Sequence, residues 1–174
     1  MVIDVLLNNI ATCLRTALSV NSSYIEVMPD KYPKPSMGKW FIAVHGGKFK
    51  KTHEQSYCIR GSLIVHLSMV HRTTPVPFDR QGTDLTAKAT TGMIAIFENA
   101  IAALDGNAAT VITTTNTTLG YKGIESIPTL LEADMEAHQI RGGGPLGWLK
   151  AENMERAGFL MEAKFKVYIN RQRS

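Results

Sequence analysis

Two long segments of the chain alternate apolar and polar residues, the pattern of β-strands with one buried face. The first covers residues 57–71 and the second residues 158–170. The polar positions are Arg60, Ser62, His66 and Ser68 in the first segment and Glu162, Lys164, Lys166, Tyr168 and Asn170 in the second. The sequence therefore predicts two long, half-buried strands.

The length of the first strand predicts that it extends beyond the core. At about 3.3 Å per residue it would span roughly 45–50 Å, more than a core of this size covers. We expect one end to project or to bend, with Gly61 as the site of the bend. An exposed strand edge is a template for another chain, so the length indicates assembly. A bulged strand held wholly within one subunit is the alternative.

Two segments have the three- and four-residue apolar spacing of amphipathic helices. The first helix is predicted over residues 2–18. The second follows a turn-rich loop at 73–82, starts at Thr83 or Asp84, and runs to about Leu104 before Asp105-Gly106 ends it. Gly92 lies inside its apolar stripe, where it would allow close approach to the sheet.

Shorter elements connect these. Residues 24–28 predict a short strand followed by a proline-rich loop, and residues 40–44 predict a central strand that stops at Gly46-Gly47. A polar connection is expected at 48–56 and a surface loop at 141–147. The threonine-rich residues 110–118 favour extended structure, whereas 126–136 favour a short helix.

The order of these elements predicts an α+β fold: a mixed or antiparallel sheet with long alternating strands and two principal helices packed on one face. The chain of 174 residues has the usual size of one domain. We therefore expect a single domain, 1–174, in which residues 107–156 form an irregular or inserted region.

Composition agrees with a soluble globular protein. The chain is 44% apolar and 20% charged and has no long uncharged apolar run, which disfavours intrinsic disorder and a membrane span. Its first residues lack the cationic head of a signal peptide. Cys13 and Cys58 are expected to be reduced, and the net charge of +4 is a mild basic excess.

Motifs for catalysis or metal binding are not apparent in the sequence. The five histidines include no helical i, i+4 pair with an intervening acid, and no Gly-x-Ser-x-Gly elbow occurs. Residues 46–51 are rich in glycine and lysine, but a strand follows them where a phosphate-binding loop would lead into a helix. We expect no enzyme activity, cofactor, metal or small-molecule substrate. An enzyme with a dispersed active site would instead need His66 or His138 beside a carboxylate in a deep pocket.

The layout as a whole resembles a known family. The features that carry it are the helix at 2–18, the strand at 40–44 ending in His45-Gly46-Gly47, the long strand at 57–71, and the closing strand. The most specific is the turn Pro77-Phe78-Asp79-Arg80-Gln81-Gly82 within residues 72–82. Over residues 2–105 and 157–170 the chain resembles the tail-completion, or tail-terminator, proteins of tailed bacteriophages.

This resemblance implies a structural virion protein. Such subunits form a hexameric ring at the neck, stop polymerisation of the tail tube, and dock the tail to head-side neck or adaptor proteins. The implied partners are the chain itself, a tail-tube protein and a head-side neck protein, with no membrane; contact with DNA in the channel stays open. The implied location is the virion, after assembly in the host cytoplasm. The candidate interface residues are Lys48, Lys50, Lys51, Arg60, Arg72, Asp79 and Arg80.

Two other structural or binding functions remain open. Another neck or tail component, such as a head–tail adaptor or tail-tube subunit, would have similar chemistry at a different position. A basic nucleic-acid-binding module is favoured by the charge and by Lys48, Lys50 and Lys51. It is disfavoured by the expectation that no strand interleaves aromatic and basic residues.

Overall fold

The computed structural model describes residues 2–28, 40–72, 92–106, 108–139 and 158–172. These form three helices and five strands: α1 (Val2–Leu18), β1 (Ile25–Val27), β2 (Trp40–Gln55), β3 (Cys58–Arg72), α2 (Met93–Leu104), α3 (Ala109–Leu119), β4 (Thr129–Gln139) and β5 (Gly158–Gln172). The strands make one sheet of order β1-β2-β3-β5-β4. Strand β1 pairs with β2 in parallel, and the other neighbours are antiparallel, which confirms an α+β fold with a mixed sheet.

The hydrophobic core contains residues of all three described helices and of one face of the sheet. Directly paired residues share a face, and alternate residues along β3 and β5 supply it. The sheet contributes Ile42, Val44, Leu63, Val65, Leu67, Met69, Phe159, Met161, Ala163, Phe165, Val167 and Ile169. The helices contribute mainly Leu6, Leu7, Ile10, Leu14, Met93, Ile96, Phe97, Ala100, Leu104 and Val111.

Helix α1 has the predicted bounds, residues 2–18. Its apolar stripe is buried because those positions face the sheet and the other helices. Near its C-terminus the Arg15 guanidinium donates from Nε and Nη2 to the Ile25 carbonyl oxygen, at 2.9 and 2.6 Å. This contact joins the helix to β1, the short strand that was also predicted.

Helix α2 begins later than the sequence pattern predicts. Gly92 is its N-cap, in an extended conformation, so this glycine precedes the helix and does not lie inside it. The predicted start at Thr83 or Asp84 and the turn at 73–82 lie outside the described residues. The predicted end is confirmed, because Gly106 adopts a positive φ of 70° directly after Asp105.

Two predictions for the middle of the chain are wrong. The threonine-rich segment forms helix α3, in which Thr113 and Thr118 donate their hydroxyls to carbonyls four residues earlier and Thr115 is buried. The predicted helix at 126–136 is instead strand β4, which pairs with β5. Packing against α1 and pairing with β5 override the local preferences of these segments.

The prediction that the strand at 40–44 stops at Gly46-Gly47 is also wrong. Strand β2 continues to Gln55, so the expected polar connection at 48–56 is mostly strand. The alternation fails there because residues 47–55 are exposed on both faces. The first residues of β2 are largely buried inside the sheet, as predicted.

The two long strands are confirmed as β3 and β5, and they pair with each other from end to end. Strand β3 also pairs with β2 from Cys58 to His71, while β4 and Ile124 pair with the other side of β5. Their hydrogen-bonding edges are therefore satisfied within one chain. The alternative is correct in that β3 lies wholly within one subunit, which excludes its pairing with another subunit, but β3 itself is not bulged, because it pairs with β5 in continuous register.

The hairpin of β2 and β3 projects, as the length of β3 predicts. Residues 47–57 are all exposed, and β2 has bulges between Gly46 and Phe49 and between Lys51 and His53. The second bulge lies beside Gly61, opposite Lys51. A Cβ on Gly61 would clash with the Lys50 carbonyl oxygen and lie 2.6 Å from the Phe49 ring, so only glycine fits there.

We expect Gly61→Ala to lower the free energy of unfolding by about 1–3 kcal/mol, because the added methyl group forces β2 away from β3. Gly46→Ala is the matched control in the same hairpin. Its Cβ would meet Ile3 and Leu7 at ordinary contact distances of 3.6 and 3.7 Å. Urea unfolding of both variants measures the difference; equal stability of the two would contradict the close approach at Gly61.

Candidate interaction surface

The projecting hairpin is the main exposed feature of the described structure. We call residues 47–62 the arm: the distal half of β2, the turn at Ser56-Tyr57, and the start of β3. The end of β5 pairs alongside it, so the arm is a three-stranded ribbon. Strand β1 pairs with the outer side of β2 only as far as Val44, which stands opposite Val27, the last residue of β1. Beyond Val44, no strand among the described residues pairs with that side of β2.

The outer edge of the arm is poorly suited to strand addition. Its two bulges interrupt the regular spacing of donors and acceptors, and lysines follow the first bulge. Both features are ways in which natural sheets prevent edge pairing. Contacts made by the arm are therefore expected to use its side chains.

Four predicted interface residues lie on the arm. Lys48 and Lys50 are exposed and form no ion pair within the described residues. Lys51 binds Glu54, with 2.6 Å between Nζ and Oε2. Arg60 pairs with Glu125, with 3.3 Å between Nε and Oε1. Among the described residues, two lysines of the arm thus lack an ion pair, and its other two cations are matched.

The remaining candidates are not brought together by the described structure. Arg72 ends β3, opposite Gly158 of β5, at the end of the strand remote from the arm. Asp79 and Arg80 lie outside the described residues. Their assignment to an interface stays a prediction.

Two exposed aromatic residues on the arm were missed by the sequence analysis. Tyr57 is 65% exposed in the turn, and Phe49 is 38% exposed against Gly61. Directly opposed residues share a face, so the pair Phe49 and Leu63 places Phe49 on the core side of the sheet. The sequence signal for Phe49 was its position between Lys48 and Lys50. Such a segment is typical of a surface loop, and its strand character becomes clear only because β2 continues to Gln55.

The opposite face of the sheet contains an aromatic residue interleaved with basic ones. Lys164, Lys166 and Tyr168 alternate along β5, and the Lys166 ammonium lies 5.2 Å from the centroid of the Tyr168 ring. The expectation that no strand interleaves aromatic and basic residues is therefore wrong. The signal was present in the alternating sequence of β5.

A row of four polar residues crosses the sheet at the base of the arm. His45, His66, Lys164 and Glu132 stand opposite one another on β2, β3, β5 and β4. The two imidazoles stack with centroids 4.8 Å apart and an interplanar angle of 15°. Lys164 completes an ion pair with Glu132 at 2.9 Å. Gly47 permits this arrangement, because a Cβ there would clash with the His66 ring.

Both histidines of this row favour the neutral form. Burial, and secondarily the neighbouring His66 ring, lower the pKa of His45 from 6.5 to about 4. Burial also lowers the pKa of His66; the Lys164 ammonium adds to this effect and Glu132 opposes it. The stacked pair is therefore uncharged at neutral pH.

Away from the arm, the described residues also form a cleft beside helix α1. This cleft, of about 410 Å³ between α1 and α3, is lined by Asn9, Thr12, Cys13 and threonines of α3. Burial raises the pKa of the Cys13 thiol. Within the described ranges, no group of three or more potential metal ligands occurs, and no helix is long and apolar enough to span a bilayer.

Comparison with protein-family models finds no match for this chain, and comparison with curated proteins finds no significant similarity.

Acidification should destabilise the fold through His45. Since the folded pKa of about 4 lies below 6.5, the unfolded chain binds more protons between these values, and stability falls as pH decreases through that window. The loss is at most about 3 kcal/mol, at about 1.4 kcal/mol per pKa unit. Urea unfolding at several pH values measures it.

The matched variants are His45→Gln, which should flatten this pH dependence, and His53→Gln, which removes an exposed imidazole from the same strand and should retain it. An unchanged slope in His45→Gln would assign the acid sensitivity to other groups.

Proposed function

We propose that this protein is a structural subunit of the neck of a tailed bacteriophage. In this proposal it forms a homo-hexameric ring that terminates tail-tube polymerisation and docks the tail to head-side neck proteins. It acts in the virion, after assembly in the host cytoplasm, and has no catalytic role. The observation that carries the proposal is the arm, which projects from the core and exposes Phe49 and Tyr57.

The arm is suited to a contact between subunits because it is rigid and extends beyond its own core. Its backbone is paired across three strands, so ordering it on binding costs little entropy. Aromatic side chains such as Tyr57 and Phe49 are enriched where protein interfaces are most strongly bound.

Such a contact would be heterologous, with the arm of one subunit on the body of the next. A heterologous contact repeated around a closing rotation gives a ring, whereas a rotation that does not close gives a filament. The bulged β2 edge supports the closed form, because it discourages uncontrolled sheet extension.

The assembly state tests the proposal directly. Mass measurement and electron microscopy of the purified protein should show rings near six subunits, either in solution or at the ends of added tail tubes. Long polymers would instead indicate a tail-tube subunit. A monomer that leaves tail tubes free to elongate would contradict the proposal.

Removal of an arm aromatic should weaken the ring without unfolding the subunit. Tyr57→Ser is expected to raise the concentration needed for assembly about tenfold, the effect of losing about 1.4 kcal/mol per contact. Leu131→Ser is the control, since Leu131 is also half exposed but lies on β4. Sedimentation over a dilution series measures both; equal effects would show that the arm is not the contact.

A further inference from the structure

The face of the sheet opposite the core carries a basic surface at the level of the arm. Lys50, Ser62 and Tyr168 stand in one row across β2, β3 and β5. Arg60 lies two residues along β3 from this row, and Lys166 lies two residues along β5 on the other side. Alternate residues of a strand share a face, so these side chains project from the same surface. We call Lys50, Arg60, Lys166 and Tyr168 the basic face.

The basic face has an excess of positive charge. Arg60 is neutralised by Glu125, but its side chain remains 49% exposed and its guanidinium has further donors. Lys50 is exposed and Lys166 is partly exposed, and neither forms an ion pair within the described residues. Tyr168 is 42% exposed between them.

The core-side face of the arm differs in chemistry. Lys51 stands opposite Gly61 on that face, and it is matched by Glu54. Phe49 lies on the same side and is apolar. Within the described part of the chain, Lys50 and Lys166 on the basic face thus have no ion pair, whereas Lys51 on the core side has one.

This chemistry fits a phosphate backbone. Lysine, arginine and tyrosine side chains are common donors to phosphate oxygens. Lys50 and Lys166 are separated by two strand spacings and two residues along a strand, roughly 12 Å between Cα atoms, similar to the ~12 Å width of the DNA major groove. Single-stranded nucleic acid is usually held by several aromatic side chains on which successive bases stack, whereas the described basic face has one aromatic residue, Tyr168. A duplex is therefore favoured over a single strand.

We propose that the basic face binds the phosphate backbone of duplex DNA without reading its sequence. This property belongs to the single subunit and does not depend on ring formation. It extends the set of contact residues to Lys166 and Tyr168, which lie far from Lys50 in sequence but adjoin it through β3.

The test is fluorescence anisotropy of a labelled mixed-sequence DNA duplex with the purified full chain over a range of salt concentrations. Affinity should fall as salt rises, with a logarithmic slope of about 0.9 for each phosphate contact. Lys50→Ala and Lys166→Ala should each weaken binding severalfold at low salt and reduce the slope by about 0.9. Lys51→Ala removes the same charge from the opposite face and should leave binding within about twofold.

Several results would overturn the proposal. Equal losses in Lys50→Ala and Lys51→Ala would assign the binding to net charge alone. Tighter binding to single-stranded DNA would identify a surface that stacks bases. Equal binding to polyglutamate would identify a binding site for an acidic protein. The oligomer mass of each variant is measured on the same samples. If a variant loses DNA binding only when its oligomer also dissociates, the loss of affinity is caused by disassembly of the oligomer.

Discussion

Hydrogen bonding of β3 on both sides along nearly its whole length is the constraint on which the other features depend. Strand β3 pairs with β5 from Cys58 to Arg72 and with β2 from Cys58 to His71. One end of this ladder lies in the core, and at the other end residues 47–57 of the hairpin are exposed. A two-stranded hairpin alone is marginally stable in water, but β5 adds a third strand alongside the arm.

The other end of the same strands has a different environment. There the sheet is buried on both faces, and Ser68 and Glu162 lie within 3.5 Å of each other between Oγ and Oε1. Buried polar groups are costly unless they are paired, which limits the residues accepted at these positions. The row from His45 to Glu132 marks the boundary between this region and the exposed arm. Its neutral histidines and its ion pair both suit partial burial.

The sequence predicted the elements that bury one face. Helix α1, β3 and β5 follow their periodicities because packing against a single core selects those residues. The distal half of β2 was missed because neither of its faces is buried, which removes any periodic signal. Helix α3 was missed because its threonines satisfy their hydroxyls within the helix. The lysines of the arm were identified, but their distribution between faces depends on strand register, which local sequence does not determine.

Register therefore decides what the arm presents to its surroundings. Lys50 and Lys51 are adjacent in sequence, yet β3 assigns them to opposite faces through Ser62 and Gly61. A slip of one residue would exchange the faces, moving Lys51 and Phe49 to the basic face and Lys50 to the core side. Gly61 opposes such a slip, because the Phe49 ring occupies the space that any other side chain would need. In the functions proposed above, the same glycine that allows the arm to form also separates its protein-binding aromatic side from its phosphate-binding basic face.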